Sequence, residues 1–409
     1  MKRILLLTCM IINAAAATAQ EQTDSFLVKL LMEKGSPKLK HILQHPDSFQ
    51  YQIIYTKIDY NRYNTPTLHN YCYAVNKDKY FNPASTVKMP MALMALELMN
   101  QERVKGLNKY TRMEVQNART HAASYDSSIP SIAQYIRKVF LVSDNDAYNQ
   151  LFEFVGLHNA NKMLHAKGYP NSRILRRFAP IPESENLVTR NIQFYNKKGK
   201  LVVEKQATIS TYNYDKLPKV FVGKGRWNSQ DSLINEPMDF TRHNTVPLLD
   251  LQQILTSIIF PQSVPLSQRF QLTGSDTKLL LTAMSELPRE SRSPIYDTTE
   301  FFDSYTKFFF FKDGRQKIPS NIRVFNKTGW SYGYLTDVAY IVDFEHEVDF
   351  MLSGTIYVNR DGILNDNKYE YEELGYPFFR EIGEIIYNYE LQRNRAYKPN
   401  LNKFRLSYN

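Results

Sequence analysis

The chain has 409 residues, of which 43% are hydrophobic and 22% charged, a composition typical of a soluble globular protein with one or two domains. Its net charge is +10. Nucleic acid is not expected as a partner, because no basic groove interleaved with aromatic residues is apparent. Much of the excess charge lies near the C-terminus, where a solvated basic tail and contact with anionic cell-envelope polymers are both open.

Residues 1–19 predict a cleavable secretory signal peptide. Lys2 and Arg3 precede the apolar run Ile4–Ile12, and Ala17-Thr18-Ala19 has the small-x-small pattern of a cleavage site. The run is too short to span a bilayer, so no stable membrane span is expected after cleavage. Lipidation at Cys9 is disfavoured, because Thr8 stands before it where a small residue is required. The sequence therefore predicts a secreted or periplasmic protein.

Cleavage would leave Cys72 as the only cysteine, so an internal disulfide is not expected and core packing must stabilise the fold. A single cysteine in an exported enzyme is also a possible nucleophile. Cys72 lies between two tyrosines in a strand-like run, which favours a buried packing role.

The predicted elements begin with helix over Ser25–Leu43, broken at Gly35-Ser36-Pro37, and continue with a hairpin of strands. The next elements are helical, separated by a polar loop over 113–128 and a longer loop over 179–189. In chain order, the strands are Gln50–Ile58 and Leu68–Val75, and the helices are Val87–Met99, Ile129–Leu141 and Ala147–Val155.

The second half begins with a hairpin over Asn191–Ala207 and irregular polar sequence up to Thr245. Two helices, three strands and a helix with Phe379, Ile382, Ile386 and Tyr389 on one face follow. The helices are Val246–Phe260 and Lys278–Leu287, and the strands are Ile322–Phe325, Tyr334–Phe344 and Val348–Val358.

This order predicts an α+β fold. The N-terminal and C-terminal strands would form one antiparallel sheet flanked by helices, with the middle of the chain inserted as a helical lobe. Residues 20–409 are expected to form one catalytic domain with an insertion around 191–245, whose role as a lid, a partner surface or filler is open.

Ser85 and Lys88 are the first candidate catalytic residues. They follow a Pro-containing turn at the start of an apolar helix, and residues three apart share one helix face. A hydroxyl beside an amine is a nucleophile beside a possible base, as acyl transfer requires. The Ser-x-x-Lys spacing is weak evidence alone, since it recurs at Ser275/Lys278 and Ser304/Lys307.

Two further motifs follow in order, Ser143-Asp144-Asn145 between two predicted helices and Lys327-Thr328-Gly329 at a predicted strand end. Each tripeptide is expected by chance in on the order of a tenth of chains of this length. An N-cap serine, an Asx-turn and a strand-end turn would explain each motif structurally, but explain the three together poorly.

The three motifs resemble those of the serine penicillin-recognising enzymes, and most of all the class A β-lactamases. The resemblance implies that Ser85 carries the acyl group, Lys88 takes its proton and Ser143 relays a proton to the leaving nitrogen. In that family, the backbone N–H groups of Ser85 and Trp330 would form the oxyanion hole.

The same resemblance implies a substrate-binding role for the residues beside these groups. Asn145 would bind a substrate amide, Lys327 and Thr328 a substrate carboxylate, and Gly329 would allow close approach of the substrate backbone. Asp144 is expected to order its loop. No cofactor or metal is implied, and His41 and His45 lack a third ligand.

Class A enzymes clear the acyl group with a water activated by a loop glutamate. Here Glu183 is the first candidate and Glu185 the second, although the surrounding loop does not match the family's pattern, and both are equally explained as solvated acids. A β-lactamase is therefore favoured over a penicillin-binding D-Ala-D-Ala peptidase acting on peptidoglycan peptides. A non-catalytic envelope-binding protein is the second alternative, which the intact Ser, Lys, Ser and Lys set disfavours.

Overall fold

The computed structural model of the protein describes residues 21–117 and 128–408. The predicted signal peptide, including Cys9, lies outside these residues. The helices are α1 (Ser25–Lys34), α2 (Pro37–Leu43), α3 (Pro46–Phe49), α4 (Lys88–Gln101), α5 (Ile132–Leu141), α6 (Asn145–Val155), α7 (Leu157–Ala166), α8 (Leu248–Ile259), α9 (Gly274–Ser285) and α10 (Tyr376–Gln392). The strands are β1 (Gln52–Tyr60), β2 (Pro66–Tyr73), β3 (Arg112–Val115), β4 (Ile192–Tyr195), β5 (Leu201–Lys205), β6 (Phe221–Val222), β7 (Gly225–Trp227), β8 (Leu233–Ile234), β9 (Met238–Asp239), β10 (Ile322–Ser331), β11 (Tyr334–Asp343), β12 (Val348–Tyr357) and β13 (Ile363–Leu364).

The main sheet joins the two ends of the chain. Its five strands lie in the order β10-β11-β12-β1-β2, and every neighbouring pair is antiparallel. The predicted α+β class is confirmed, with β1 and β2 from the N-terminal part and the other three strands from the C-terminal part. The small sheets β3-β4-β5, β13-β7-β8 and β6-β9 lie outside this main sheet.

The sheet is buried on both faces because its side chains alternate between two hydrophobic clusters. Ile53 and Tyr55 of β1 belong to the cluster that includes residues of α1 and α10, whereas Ile54 and Ile58 belong to the cluster that includes residues of α4, α5 and α8. The central strands β11 and β12 are buried along their whole lengths. Helix α4, which follows Ser85, is enclosed in the second of these clusters, where it packs against α5, α6 and α7.

Two polar residues cap the first turns of helices, as their side-chain chemistry suggests. Ser36 Oγ accepts a hydrogen bond from the Leu39 N–H at the start of α2, and Asp144 Oδ1 accepts one from the Ala147 N–H at the start of α6. Asp144 thus orders its loop by capping a helix. This cap fixes where the second motif stands relative to α6.

The structure corrects three expectations about local structure. Strand β10 runs to Ser331, so Lys327-Thr328-Gly329 lies inside the strand rather than at its end, because pairing with β11 continues through this segment. Residues 113–115 of the expected polar loop belong to β3, since they pair with β4; residues 118–127 are not among those described.

The third correction concerns the basic C-terminal tail, which is not simply solvated. Arg393 and Arg395 both pair with the buried carboxylate of Glu390, and their side chains are less than 10% exposed. Lys403 donates a hydrogen bond to the Ile259 carbonyl. Several of the basic side chains in the tail are therefore paired or hydrogen-bonded within the chain.

Cys72 is buried, as its strand context predicted. Burial raises the pKa of its thiol to about 11, so the thiol stays protonated and weakly nucleophilic at neutral pH. In the ranges 21–117 and 128–408, no helix has the length and apolar character needed to cross a membrane.

Candidate active site

Ser85 stands in a tight turn at the entrance to α4. Residues Ala84–Val87 form a 3₁₀ turn that leads directly into α4, whose first residue is Lys88. Because residues three apart in a 3₁₀ turn are eclipsed, the side chains of Ser85 and Lys88 share one face. Ala84, just before Ser85, has a positive φ of 43°, a strained value for alanine that is common where a site dictates the backbone.

Lys88 is completely buried and directed at the second motif. Its Nζ donates hydrogen bonds to the Ser143 carbonyl and, over 2.7 Å, to Asn145 Oδ1, and it lies 3.4 Å from Ser143 Oγ. Burial lowers the pKa of Lys88 to about 7, although Asp144 and Asp146 act in the opposite direction. Burial therefore favours the neutral amine, which is able to accept a proton.

Lys327 reaches the same hydroxyl from the other side. Its Nζ donates to Ser143 Oγ over 2.9 Å and to the Thr328 carbonyl over 2.8 Å. Burial, followed by the nearby Lys88, holds the pKa of Lys327 well below its ordinary value. Ser143 Oγ therefore lies between two amines, where it can pass a proton from one side to the other.

Strand β10, which carries the third motif, comes so close to the turn at Ser85 that the two backbones are nearly in contact at Gly329. A Cβ placed on Gly329 would lie 2.5 Å from the Pro83 carbonyl oxygen and 2.8 Å from the Ser85 nitrogen. No residue with a side chain fits there without moving one of the two backbones. The glycine thus sets the separation between β10 and Ser85, in addition to any role toward substrate.

Thr328 and Trp330 flank this contact. Thr328 is fully buried, and among the described residues its Oγ1 has no hydrogen-bond partner. Trp330 is half-buried, and its ring packs against Tyr305 and Phe308. The expected oxyanion role of the Trp330 backbone stays a prediction.

The two other Ser-x-x-Lys pairs are unsuitable as sites for different reasons. Ser304 is sealed in the core with an exposure of 0%, so no substrate reaches its hydroxyl, whereas Ser85 is partly exposed. Ser275 is exposed and accepts a hydrogen bond from Lys109 rather than from Lys278. Burial and partners therefore separate Ser85 from its two sequence equivalents.

Glu183 and Glu185 each form an ion pair with an arginine. The side chain of Glu183 is 56% exposed and pairs with Arg242 at 2.6 Å, and Glu185 pairs with Arg190 at 3.5 Å. The side chain of Phe178, just before this loop, lies against Lys88. The role of either glutamate as the water-activating base stays a prediction, and these ion pairs give it no support.

Sequence reasoning did not identify Phe178, whose ring centre lies 4.9 Å from Lys88 Nζ. Asn149 holds this residue by accepting from the Phe178 N–H at 2.9 Å and donating to the Phe178 carbonyl at 3.2 Å. No motif marks a loop phenylalanine, so only the folded chain shows that it covers the candidate base.

Sequence reasoning also missed the polar cluster behind β10. Lys307 Nζ donates to the carbonyls of Met284 and Val324 and to Asn326 Oδ1, at 2.6 to 3.0 Å. Asn326 in turn donates to Asp337 on β11 over 2.8 Å. Asn326 directly precedes Lys327, so this cluster fixes the strand position from which Lys327 enters the site.

No metal centre accompanies these groups. Among residues 21–117 and 128–408, no three His, Cys, Asp or Glu side chains converge as metal ligands would. The rings of His41 and His45 are in tilted contact, with their centres 4.3 Å apart.

Part of the chain is similar to a known protein family. Residues 38–210 match the family described as "Beta-lactamase enzyme family", a stretch that contains Ser85, Lys88, Ser143 and Asn145 but ends before Lys327. The resemblance to β-lactamase-like serine enzymes is thereby confirmed. No curated protein sequence matches the chain significantly.

Solved structures similar to this chain include three β-lactamases. The enzyme from Sphaerobacter thermophilus is 13% identical with a TM-score of 0.46, covering 88% of this chain and 98% of its own. The chromosome-encoded enzyme of Vibrio parahaemolyticus is 12% identical with a TM-score of 0.47, covering 86% and 98%. An ancestral class A enzyme is 12% identical with a TM-score of 0.46, covering 87% and 99%. At these identities and scores, the likeness carries no information about activity.

Proposed function

We propose that this protein is an exported serine hydrolase that opens β-lactam rings through an acyl-enzyme on Ser85. The observation that carries the proposal is the position of Ser143 Oγ, 2.9 Å from Lys327 Nζ and 3.4 Å from Lys88 Nζ, beside the turn that holds Ser85. A hydroxyl between two desolvated amines is the arrangement that proton transfer to a leaving nitrogen requires.

In the proposed reaction, Ser85 Oγ attacks the carbonyl carbon of the cyclic amide and loses its proton to neutral Lys88. The C–N bond then breaks, and Ser143 donates a proton to the leaving nitrogen. The lost proton is restored to Ser143 from the lysines that contact it. Water next attacks the ester carbonyl, which releases the ring-opened acid and returns the proton to Ser85.

Substrate binding is assigned to the edge of the site formed by β10. The hydroxyl of Thr328, unpaired among the described residues, and the adjacent amine of Lys327 are suited to a substrate carboxylate. Asn145 is exposed at the cleft, and its side-chain amide suits a substrate amide.

A penicillin-binding D-Ala-D-Ala peptidase is the second candidate, and one observation favours it. In the described part of the chain, the groups that contact Lys88 Nζ are Ser143, Asn145 and the Phe178 ring, and no carboxylate bonds to it. An acyl-enzyme without a carboxylate base must rely on a lysine to activate water, which slows its hydrolysis.

One time course tests both candidates. The protein is incubated with a fluorescent penicillin, and the adduct is located by mass spectrometry and followed over time. Labelling of the Ser85 peptide that is absent from Ser85→Ala supports the acyl-enzyme, whereas labelling of Ser275 or Ser304 refutes it. Release within seconds supports a β-lactamase, and an adduct that persists for hours supports the peptidase. If the penicillin labels no residue, both enzyme candidates fail and the non-catalytic envelope-binding protein is the alternative that remains.

A further inference from the structure

A cavity outside the candidate active site lies beside the segment that leads into the nucleophile turn. It has a volume of about 500 Å³ and is lined by residues 77–81, 171, 173, 218–221 and 245–247. Two of these segments, 218–221 and part of 245–247, come from or border the predicted insertion. Phe81 in its wall is four residues from Ser85, a span of at most about 14 Å of extended chain.

The lining of this cavity is strongly cationic. Lys77, Lys79, Arg173 and Lys219 contribute four positive charges, and Asp78 contributes one negative charge. The exposed ring of Phe221 adds an apolar edge. A neutral or cationic ligand would gain nothing from such a lining, whereas an anion would be attracted to it.

Two buried donors in the cavity wall have no acceptor. Within the described residues, Arg173 Nε and Tyr80 Oη are both inaccessible to solvent and have no hydrogen-bond partner. The two groups are close enough to influence each other electrostatically. Burial raises the pKa of Tyr80 well above its ordinary value, so its oxygen keeps its hydrogen and remains a donor.

Other cations of this protein are placed differently. Arg177 pairs with Glu153 at 2.9 Å, and Arg393 pairs with Asp59 at 2.7 Å. The Arg173 guanidinium instead lies near enough to the phenols of Tyr80 and Tyr212 to feel them electrostatically, and burial lowers its pKa. The Nε atoms of Arg177 and Arg395 are also buried without a partner, but each of those arginines pairs with a carboxylate, whereas Arg173 has no carboxylate partner among the described residues. An arginine without either partner indicates a missing acceptor.

We propose that this cavity is an oxyanion-binding site, in which Arg173 Nε and the Tyr80 hydroxyl donate to one carboxylate or phosphate group and the lysines neutralise its charge. The insertion supplies Lys219 and Phe221, so one of its roles is to complete this site. The site does not depend on the proposed hydrolysis, since none of its groups belongs to the Ser85 cleft.

Isothermal titration with inorganic phosphate and with succinate tests the proposal on the full secreted chain. The variants are Arg173→Met and Tyr80→Phe, with Lys198→Met as a charge-matched control at an exposed turn. We expect the wild type and Lys198→Met to bind one anion equally, Arg173→Met to bind it at least tenfold more weakly, and Tyr80→Phe severalfold more weakly. The tighter of the two probes identifies a phosphate or a carboxylate as the natural group.

Two results would overturn the proposal. One is that neither anion binds the wild type at millimolar concentration, and the other is that both variants bind the anion as the wild type does. The thermal midpoint of each unliganded variant checks that it is folded. Should Arg173→Met fail to fold, Tyr80→Phe decides, because it removes only one hydroxyl. Penicillin labelling of Ser85 is measured separately, so failure here is distinguishable from failure of the hydrolase proposal.

Discussion

At the residue scale, the candidate site is defined by two amines removed from water. Lys88 and Lys327 are 0% and 1% exposed, and both contact the hydroxyl of Ser143. Desolvation disfavours the charged form of a lysine, so burial turns an ordinary cation into a potential base. The same burial restricts each amine to one orientation, toward the second motif.

The first prediction concerns pH. Lys88 must be neutral to accept the Ser85 proton, and its pKa is lowered to about 7, so the neutral fraction grows as pH rises through that value. We expect the acylation rate constant to increase about tenfold per unit below pH 6 and to level off above pH 8. Stopped-flow labelling with a fluorescent penicillin from pH 5 to 9 measures it. A rate independent of pH over this range would exclude Lys88 as the base.

The second prediction concerns the contact between β10 and the nucleophile turn. Gly329→Ala places a methyl group 2.5 Å from the Pro83 oxygen and 2.8 Å from the Ser85 nitrogen, so one backbone must shift. We expect acylation to fall at least tenfold while the protein remains folded, since displacements of about 1 Å can cost a hundredfold in rate. Gly274→Ala is the control, because a Cβ there meets nothing within 4 Å. Equal loss in both variants would argue against a local effect.

At the scale of elements, β10 carries the third motif and is anchored from behind. Lys307 bonds to two backbone carbonyls and to Asn326, which in turn bonds to Asp337. Burial lowers the pKa of Lys307 and raises the pKa of Asp337. The cluster joins the segment before β10 to β10 and β11. It therefore holds β10 in a fixed position beside the turn at Ser85.

The third prediction tests this anchor. Lys307→Met removes the donor that satisfies three buried acceptors, which should lower the free energy of unfolding by about 3 kcal/mol. Lys278→Met is a matched control, since Lys278 is also the lysine of a Ser-x-x-Lys pair but is exposed, and its effect should be within about 0.5 kcal/mol. Urea unfolding of both variants measures the difference. Equal midpoints would show that the cluster does not stabilise the fold.

At the scale of the whole molecule, the two ends of the chain are joined through one sheet and one buried carboxylate. Strand β1 pairs with β12, and Tyr55 of β1 donates to Glu390 at the end of α10. Arg393 and Arg395 then return to the same carboxylate. The N-terminal strand β1 is thereby held to the end of α10 and to the segment that follows it.

The fourth prediction tests this closure. Glu390→Gln removes the buried carboxylate that Arg393 and Arg395 share. Arg393 keeps its pair with Asp59, but Arg395 loses its ion-pair partner in a buried position, so stability should fall by about 3 kcal/mol. Glu347→Gln, which alters an exposed pair with Lys398, is the control and should change stability by less than about 1 kcal/mol. Thermal unfolding by circular dichroism compares the two. A loss no larger than in the control would mean that the tail contributes little to the fold.

The sequence by itself determined the elements and the chemical groups of the candidate site. Apolar patterns predicted the strands β1, β11 and β12 and the helices α4, α5 and α6. Elements buried on one side carry apolar residues at a regular spacing, and elements enclosed on all sides, such as β11, β12 and α4, carry nearly continuous apolar runs. Three short motifs identified Ser85, Lys88, Ser143 and Lys327, since acyl transfer needs a hydroxyl beside amines. The α+β order followed from strands at both ends and helices between.

Only the tertiary structure decided how these groups meet and which neighbours matter. The ion pair of Glu183 with Arg242, the ring of Phe178 over Lys88 and the Lys307 anchor all join segments far apart in the chain. Such contacts leave no periodic signal, because they depend on how loops pack and on which polar groups lose water. Desolvation is likewise a property of the folded chain. The sequence could suggest that a lysine beside the nucleophile would have a lowered pKa, but only the tertiary structure shows that Lys88 and Lys327 are buried.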